Sequence, residues 1–555
     1  MKRRPIRRAS VLLAAGFAAG LAAGEAPFTF KNAAAALGLL PALEGVIAHS
    51  AAWGDTDGDG RPELYVGTFN KSGAKPGVFF RNAGGGFAPD AQEVFASSGR
   101  ASGGFFADLD NDGDLDFYLS NNARGHAGTP QGGLNVLLRN EGGGRFSDVS
   151  KESGACPGDF NGRSATVLDF DGDGLLDMLV TEDGVQGARL FRNKGGLRFE
   201  DVTAAAGLPA ALNSNSVAAG DLDNDTWPDL LIVGKGGNRL FLNDARGRFA
   251  EALGAATVFA IRTEDGDDMP CGACLGDVDC DGRLDVAIGQ HFDHPWRAPE
   301  PVRLFLNRGG RGAPAFEDVT EAAGLKKLPM KAPHVELQDF DNDGRPDLYT
   351  SVVKFDGADV HPLIYRNLGG GDGRVRFRED CLAVNDFPAE EDRAPMGSGA
   401  FFRKMLAERK IMYFAPGPSA DFDRDGRLDL CLPSWWAEVP SLLLRNETRG
   451  GRWLRIRVAG RNGTNRMGVG AKVILYAEGR LGDAAARIGH QEIAVGYGYC
   501  SGQEAVAHFG LGAAAACDLE VILPHGKGRL ERKGVKADQE LLISGDSHRF
   551  PAGNR

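Results

Sequence analysis

Hydrophobic positions in this chain fall in short runs broken by clusters of glycine, aspartate and asparagine. Ser216-Val217-Ala218-Ala219 leads into an acidic cluster, and Asp229-Leu230-Leu231-Ile232-Val233 leaves it. A third apolar run ends in asparagine, as in Val78-Phe79-Phe80-Arg81-Asn82. A glycine-rich turn then leads to a phenylalanine run such as Phe199-Glu200-Asp201-Val202. Runs this short, bounded by turn residues, predict four strands per unit rather than helices.

The unit recurs seven times, with acidic clusters starting at Asp55, Asp108, Asp169, Asp221, Asp277, Asp339 and Asp421. The asparagine runs end at Asn82, Asn140, Asn193, Asn243, Asn307, Asn367 and Asn446. Four strands per unit at this period predict an all-β, seven-bladed β-propeller. The seventh unit lacks its phenylalanine strand, and Phe28-Thr29-Phe30 near the N-terminus supplies a matching one. The N-terminal strand is therefore expected to complete the last blade and leave no open edge.

Alternating carboxylates converge when a loop wraps a hard cation, and glycine permits the sharp bend. The candidate ligands are Asp55, Asp57, Asp59 and Glu63 in the first loop and Asp108, Asp110, Asp112 and Asp116 in the second. The third and fourth loops offer Asp169, Asp171, Asp173, Asp177 and Asp221, Asp223, Asp225, Asp229. The fifth offers Asp277, Asp279, Asp281 and Asp285, and the sixth Asp339, Asp341, Asp343 and Asp347. The seventh offers Asp421, Asp423, Asp425 and Asp429. Oxygen-only ligands favour calcium over zinc or copper, so up to seven Ca2+ are expected. An EF-hand needs glutamate at position twelve, where this chain has residues such as Val66, Leu119 and Ile232 that continue a strand. The fourth loop departs from the pattern, with Thr226 in place of glycine, and is expected to bind metal weakly or to be empty.

Length and composition agree with a repeated architecture. The 555 residues exceed one ordinary core, and 79 glycines suit many tight turns. Lys2, Arg3, Arg4, Arg7 and Arg8 precede the apolar run Val11 to Ala23 and the small residues Ala22-Ala23-Gly24, which predicts a cleaved export signal. The net charge is −12, and removing those five cations leaves −17. Nucleic acid and anionic lipid are therefore poor partners, and no membrane span is expected after cleavage. Export permits disulfides among the eight cysteines, and Cys271-Gly272-Ala273-Cys274 is read as a local disulfide or simple packing. Cys431, in an apolar run, reads as a buried thiol.

No nucleophile–base–orienter set, phosphate loop or serine elbow is visible, so no catalytic residue is assigned. His291 and His294 flank Asp293 in a loop. The stretch from Asp392 to Ala415, with Arg393, Arg403, Lys404, Arg409 and Lys410, is the insertion that best suits a partner-binding element.

At the acidic loops the chain resembles FG-GAP (VCBS-type) repeats, over roughly residues 28 to 446. Trp453-Leu454-Arg455-Ile456, Asn465-Arg466-Met467-Gly468-Val469-Gly470-Ala471, Gly496-Tyr497-Gly498-Tyr499 and His508-Phe509-Gly510-Leu511-Gly512 resemble an ASPIC/UnbV domain. The pairing is similar to the cartilage-acidic-protein-like (CRTAC) family. The resulting layout is a signal peptide at 1–24, a propeller at 25–446, a small β-sandwich-like domain at 447–545 and a tail at 546–555. The resemblance implies a secreted calcium-binding module for adhesion to a protein or glycan partner, of unknown oligomeric state. The competing expectation is a secreted polysaccharide-active enzyme, lyase-like, on the same calcium-stabilised fold.

Overall fold

The computed structural model describes residues 27–544, except 70–73, 97–98, 123–133, 183–186, 236, 262–268, 371–372, 381–386, 409 and 462. The export segment and the C-terminal tail expected from the sequence lie outside the described residues.

The chain is an all-β propeller followed by a β-sandwich. Each acidic loop joins the first two strands of an antiparallel sheet, as Ser216–Gly220 and Asp229–Val233 flank the fourth loop. The asparagine run Arg239–Asn243 and the phenylalanine run Phe249–Glu251 complete that sheet in sequence order. Seven sheets of this kind carry the seven loops. The last contains Ser419–Ala420, Asp429–Leu432 and Leu442–Asn446, and its outer strand is the N-terminal Phe30–Asn32. Phe30 pairs with Asn446 and Asn32 with Leu444, so the two ends of the propeller share one sheet.

Neighbouring sheets pack against one another chiefly through their first strands. Trp53 of the first sheet stacks on Phe422 of the last, with ring centroids 6.3 Å apart. The repeated asparagines explain why the sheets close into a ring. Each asparagine amide donates to the carbonyl of the second loop residue of the preceding sheet: Asn140 to Thr56 at 2.8 Å, Asn307 to Leu222 at 2.8 Å, Asn446 to Phe340 at 2.8 Å. Asn82 donates to Phe422 at 3.0 Å and completes the circle. These are buried bonds between distant segments, so the asparagines hold blade to blade.

After Asn446 the chain forms two further sheets. One runs Ala507–Gly512, Arg452–Val458, Gln539–Ile543, and the other Arg487–Glu492, Lys472–Ala477, Ala516–Ile522, Arg529–Lys536. Leu454, Ile456, Val473, Leu475, Leu519 and Val521 are buried between them. Arg529–Lys536 is a mostly exposed, charge-rich edge strand, so it carries no apolar alternation for sequence to reveal. No described helix is long and apolar enough to cross a membrane.

The sandwich also sends a segment into the ring. Ser501–Gly502 pairs in parallel with Ala48–Gly54 on the propeller axis. The Gly498 carbonyl accepts from Ser216 Oγ at 2.7 Å, and the Val495 carbonyl from Thr166 Oγ1 at 2.8 Å. A Cβ on Gly502 would stand 2.4 Å from the Gly104 carbonyl oxygen, so glycine is required where this segment threads between strands. Tyr497 to Tyr499, within one of the motifs that resemble an ASPIC/UnbV domain, thus fill the axial channel.

Described cysteines form no disulfide. Cys271 and Cys274 lie on one strand, Pro270–Gly276, and are buried, which settles that motif as packing. Cys431 is a buried thiol, as expected.

Candidate metal centres

The seven acidic loops share one backbone path. The fourth residue of each has φ between +57° and +75°, and the sixth between +83° and +109°. Glycine and asparagine adopt the fourth position cheaply; Cys280 and Arg424 adopt it too. At the sixth position Thr226 has φ +83°, a strained setting for a β-branched residue. The sixth N–H donates to the first aspartate, for example Gly60 to Asp55 Oδ2 at 3.1 Å and Gly344 to Asp339 Oδ2 at 2.7 Å.

The ninth carboxylate is buried beneath the loop. Asp116 accepts from the N–H of Leu109 at 3.1 Å and of Asn140 at 3.0 Å, and Asp285 from Val278 at 2.9 Å and Asn307 at 2.8 Å. Glu63 in the first loop takes the same two positions, from Thr56 at 2.8 Å and Asn82 at 3.3 Å. The longer side chain therefore occupies an equivalent place.

Carboxylate oxygens from Asp55, Asp57 and Glu63 lie within 4.8 Å of one another. The same holds for Asp108, Asp110 and Asp112, for Asp169, Asp171 and Asp177, for Asp221, Asp223 and Asp225, and for Asp277, Asp279 and Asp285. In the sixth and seventh loops burial first, and then neighbouring aspartates, raise the pKa of two buried carboxylates: Asp343 and Asp341 act on Asp339, and Asp423, Asp421 and Asp425 on Asp429. Burial, with neighbouring carboxylates adding, lifts Asp116 to about 8 and Glu63 and Asp169 to about 7. Asp177, Asp229, Asp285 and Asp347 are pushed well above the ordinary value for the same reasons. Such groups call for a proton or a cation.

Arginines supply part of the compensation. Arg192 meets Asp171 at 2.6 Å, Arg308 meets Asp279 at 2.6 Å, and Arg366 pairs with Asp341. The rest comes from the sandwich, which lies across the loop face and touches the first aspartate of every loop. Arg457 reaches Asp55 at 3.5 Å, Arg466 reaches Asp108 at 3.7 Å, Lys472 reaches Asp221 at 2.7 Å and Arg455 reaches Asp421 at 2.8 Å. The His525 and His490 imidazoles stand 3.7 Å and 3.6 Å from Asp169 and Asp277, and the Gly510 N–H donates to Asp339 at 3.1 Å.

These contacts use Oδ2. The opposite oxygens, Oδ1 of Asp55, Asp108 and Asp421, are buried and make no hydrogen bond. Asp279 Oδ1, Asp341 Oδ1 and Asp429 Oδ2 are in the same condition. Buried carboxylate oxygens without a donor, converging with other carboxylates on a turn, fit a hard cation. The first, second, fifth, sixth and seventh loops each hold such an oxygen. In the fourth loop Lys472 also donates to Asn224 at 2.6 Å, so an ammonium already sits beside the carboxylates. The Thr226 carbonyl accepts from the His525 N–H at 2.7 Å, which ties the irregular turn to the sandwich.

All twenty-eight sequence-assigned carboxylates fall on these loops. Sequence reasoning missed two sets. The asparagines repeated visibly, but their bond to the preceding blade joins residues 73 or more positions apart. The sandwich cations carry no repeat at all, and nothing in their spacing marks them.

Known proteins bear on this geometry. A model of FG-GAP-like repeats matches residues 55–119, 126–180, 169–232 and 221–288, and a model of ASPIC and UnbV matches 461–549. Cartilage acidic protein 1 of Homo sapiens is 28% identical over 449 residues, covering 77% of this chain and 60% of that relative. The match thus spans less than two thirds of the relative's length. Among solved structures, an Agrocybe aegerita lectin recognising non-reducing terminal N-acetylglucosamine aligns at TM-score 0.38 and 20% identity, over 60% of this chain and 80% of that one. An exotype rhamnogalacturonan lyase aligns at TM-score 0.38 and 12% identity, over 72% of each chain. At these scores neither likeness informs ligand or reaction.

Proposed function

For this member of the cartilage-acidic-protein-like family, in which FG-GAP-like repeats precede an ASPIC/UnbV segment, we propose a calcium-stiffened binding module. The acidic loops hold Ca2+, the sandwich closes over them, and the opposite face of the ring is presented to a protein or glycan partner. The N-terminal signal exports the chain, and 1–24, 25–446 and 447–545 act as leader, propeller and cap. One observation carries the metal assignment: buried carboxylate oxygens that accept no hydrogen bond in five of the seven loops. With metal bound, the ion supplies the positive charge that burial and mutual repulsion demand.

Calcium titration of the purified chain tests this reading. Several tightly held ions per chain, up to seven, are expected. A chain that takes up no calcium above a chelated control overturns the reading.

A second reading, a polysaccharide-active enzyme, draws on His291, which lies in a cavity on the face away from the loops and stands 3.4 Å from Lys331 Nζ. Shortening of an acidic polysaccharide that disappears in His291→Ala would establish it.

A further inference from the structure

The first strand of each sheet carries its acidic loop at one end. Its other end points to a cavity of about 620 Å³ on the propeller axis. His49 to Asp55 spans six residues of extended strand, so cavity and loops stand about 20 Å apart. The axial segment from the sandwich closes the cavity's inner end: the Tyr499 ring lies 5.5 Å from His49, and its hydroxyl accepts from Arg163. Lys235, Asp293 and Ser398 are exposed at the outer end. The cavity is blind on one side and open to solvent on the other.

Its charge runs against that of the molecule. The chain carries −12 overall, yet Arg100, Arg163, Lys235 and Lys331 line the cavity against a single described carboxylate, Asp293. Asp293 lies 3.6 Å from Lys331. Four cations from the connections of four different blades face one small volume because the strand ends converge there. Burial, followed by the positive charges of Lys331 and Arg163, keeps the His291 imidazole well below its ordinary pKa. Partly desolvated cations gathered in a concave site favour an anion.

The remaining wall is aromatic and amide. The Arg100 guanidinium lies 3.7 Å over the Phe69 ring, and Phe69 meets Trp435 edge-on at 4.7 Å. Asn213 and Asn215 add amide groups. The half-buried Trp435 ring suits the C–H face of a sugar, amides suit hydroxyls, and guanidinium suits carboxylate. The volume lies within the range of small-ligand sites. An acidic peptide shares the charge but makes less use of flat rings beside amides.

We propose that this axial cavity binds a carboxylated sugar at the end of an acidic oligosaccharide, through Arg100, Arg163, Lys235 and Lys331. The proposal rests on the binding-module reading and names its ligand class and face.

Titration calorimetry on the calcium-loaded full chain tests it, with tetragalacturonate as probe. The methyl-esterified sugar and a tetraglutamate peptide serve as comparisons. One-to-one binding of tetragalacturonate is expected, at least tenfold weaker for the ester. Lys235→Gln combined with Lys331→Gln is expected to weaken binding at least tenfold with an unchanged melting temperature. Lys235→Gln alone changes an exposed side chain, so it gives a folded variant if the pair does not fold, with a smaller loss in the same direction. No heat with tetragalacturonate, equal binding of the ester, or unaltered binding by a folded variant overturns the proposal. Binding of tetraglutamate in its place assigns an acidic peptide and also overturns it. Calcium uptake in the same samples judges the module reading separately: uptake without sugar binding removes only the cavity inference.

Discussion

The two faces of the ring are built from the same strands by opposite rules. On the loop face every blade contributes the same nine-residue turn, and the sandwich answers them with no repeat of its own, through arginine, lysine, histidine or a backbone N–H. On the cavity face each blade contributes something different, and the site exists only as their sum. One face is a repeated local structure held by a non-repeating cap. The other is a non-repeating site held by a repeated scaffold. Repetition therefore serves stability on the first face and presentation on the second.

Metal removal should separate the faces most sharply. Excess chelator is expected to lower the melting temperature by roughly 10 °C or more, since each occupied site contributes about 2.7 kcal/mol at a hundredfold excess over Kd. Equal melting curves with calcium and with chelator would place stability entirely in strand packing.

Glu504 tests the cap next. It meets Arg424 at 2.9 Å, Arg455 at 3.2 Å and Arg457 at 3.3 Å. Burial alone would raise its pKa, but these three guanidiniums outweigh burial and hold it well below the ordinary 4.5. A depressed folded pKa gives stability that is present above the unfolded value and lost as pH falls toward the folded one. Glu504→Gln should cost about 3 kcal/mol near neutral pH, because it leaves Arg455 buried with less compensation. The gap between wild type and variant should narrow as pH falls below 4.5. Thermal melts across that range measure it, and a pH-independent gap would assign the loss to packing.

Asn446→Ala probes the ring while keeping the backbone N–H that donates to the proposed ligand Asp429. It removes amide bonds to the carbonyls of Phe340 at 2.8 Å and Leu428 at 3.1 Å. A loss of about 2 kcal/mol in denaturant unfolding is expected from two buried carbonyls left without a donor. No loss would mean that apolar packing closes the ring alone.

Lys472→Gln should have the smallest effect and the opposite sign. Removing the ammonium 2.7 Å from Asp221 is expected to tighten calcium binding at the fourth loop several-fold, read as one weak site becoming stronger in a calcium titration. Unchanged affinity would make strain at Thr226 the cause of its weakness.

Much of the fold was legible because its signals are local and repeated. The acidic turns, the strands on either side and the N-terminal strand that pairs with Leu442–Asn446 each lie within a few residues of their own marker. The insertion from Asp392 to Ala415 was legible only as extra length. Its helix Ser398–Glu408 buries Phe401, Phe402 and Met405, and Phe401 stacks on Trp296 at 5.1 Å. The insertion, read from sequence as a partner-binding element, is thus anchored by one face, and Phe402 and Ser398 line the axial cavity.

The sequence by itself determined the β architecture, the number and positions of the acidic turns, and the oxygen-only chemistry of each. Those are properties of nine residues in a row, fixed by alternation, carboxylate spacing and the left-handed turn positions. Only the tertiary structure decided that the sandwich answers every first aspartate, that Tyr499 plugs the axis, and that Arg100, Arg163, Lys235 and Lys331 face one another. These residues lie tens to hundreds of positions apart, and no local pattern marks them. Closure of the ring is what brings them together, and closure is a property of how sheets pack rather than of any segment.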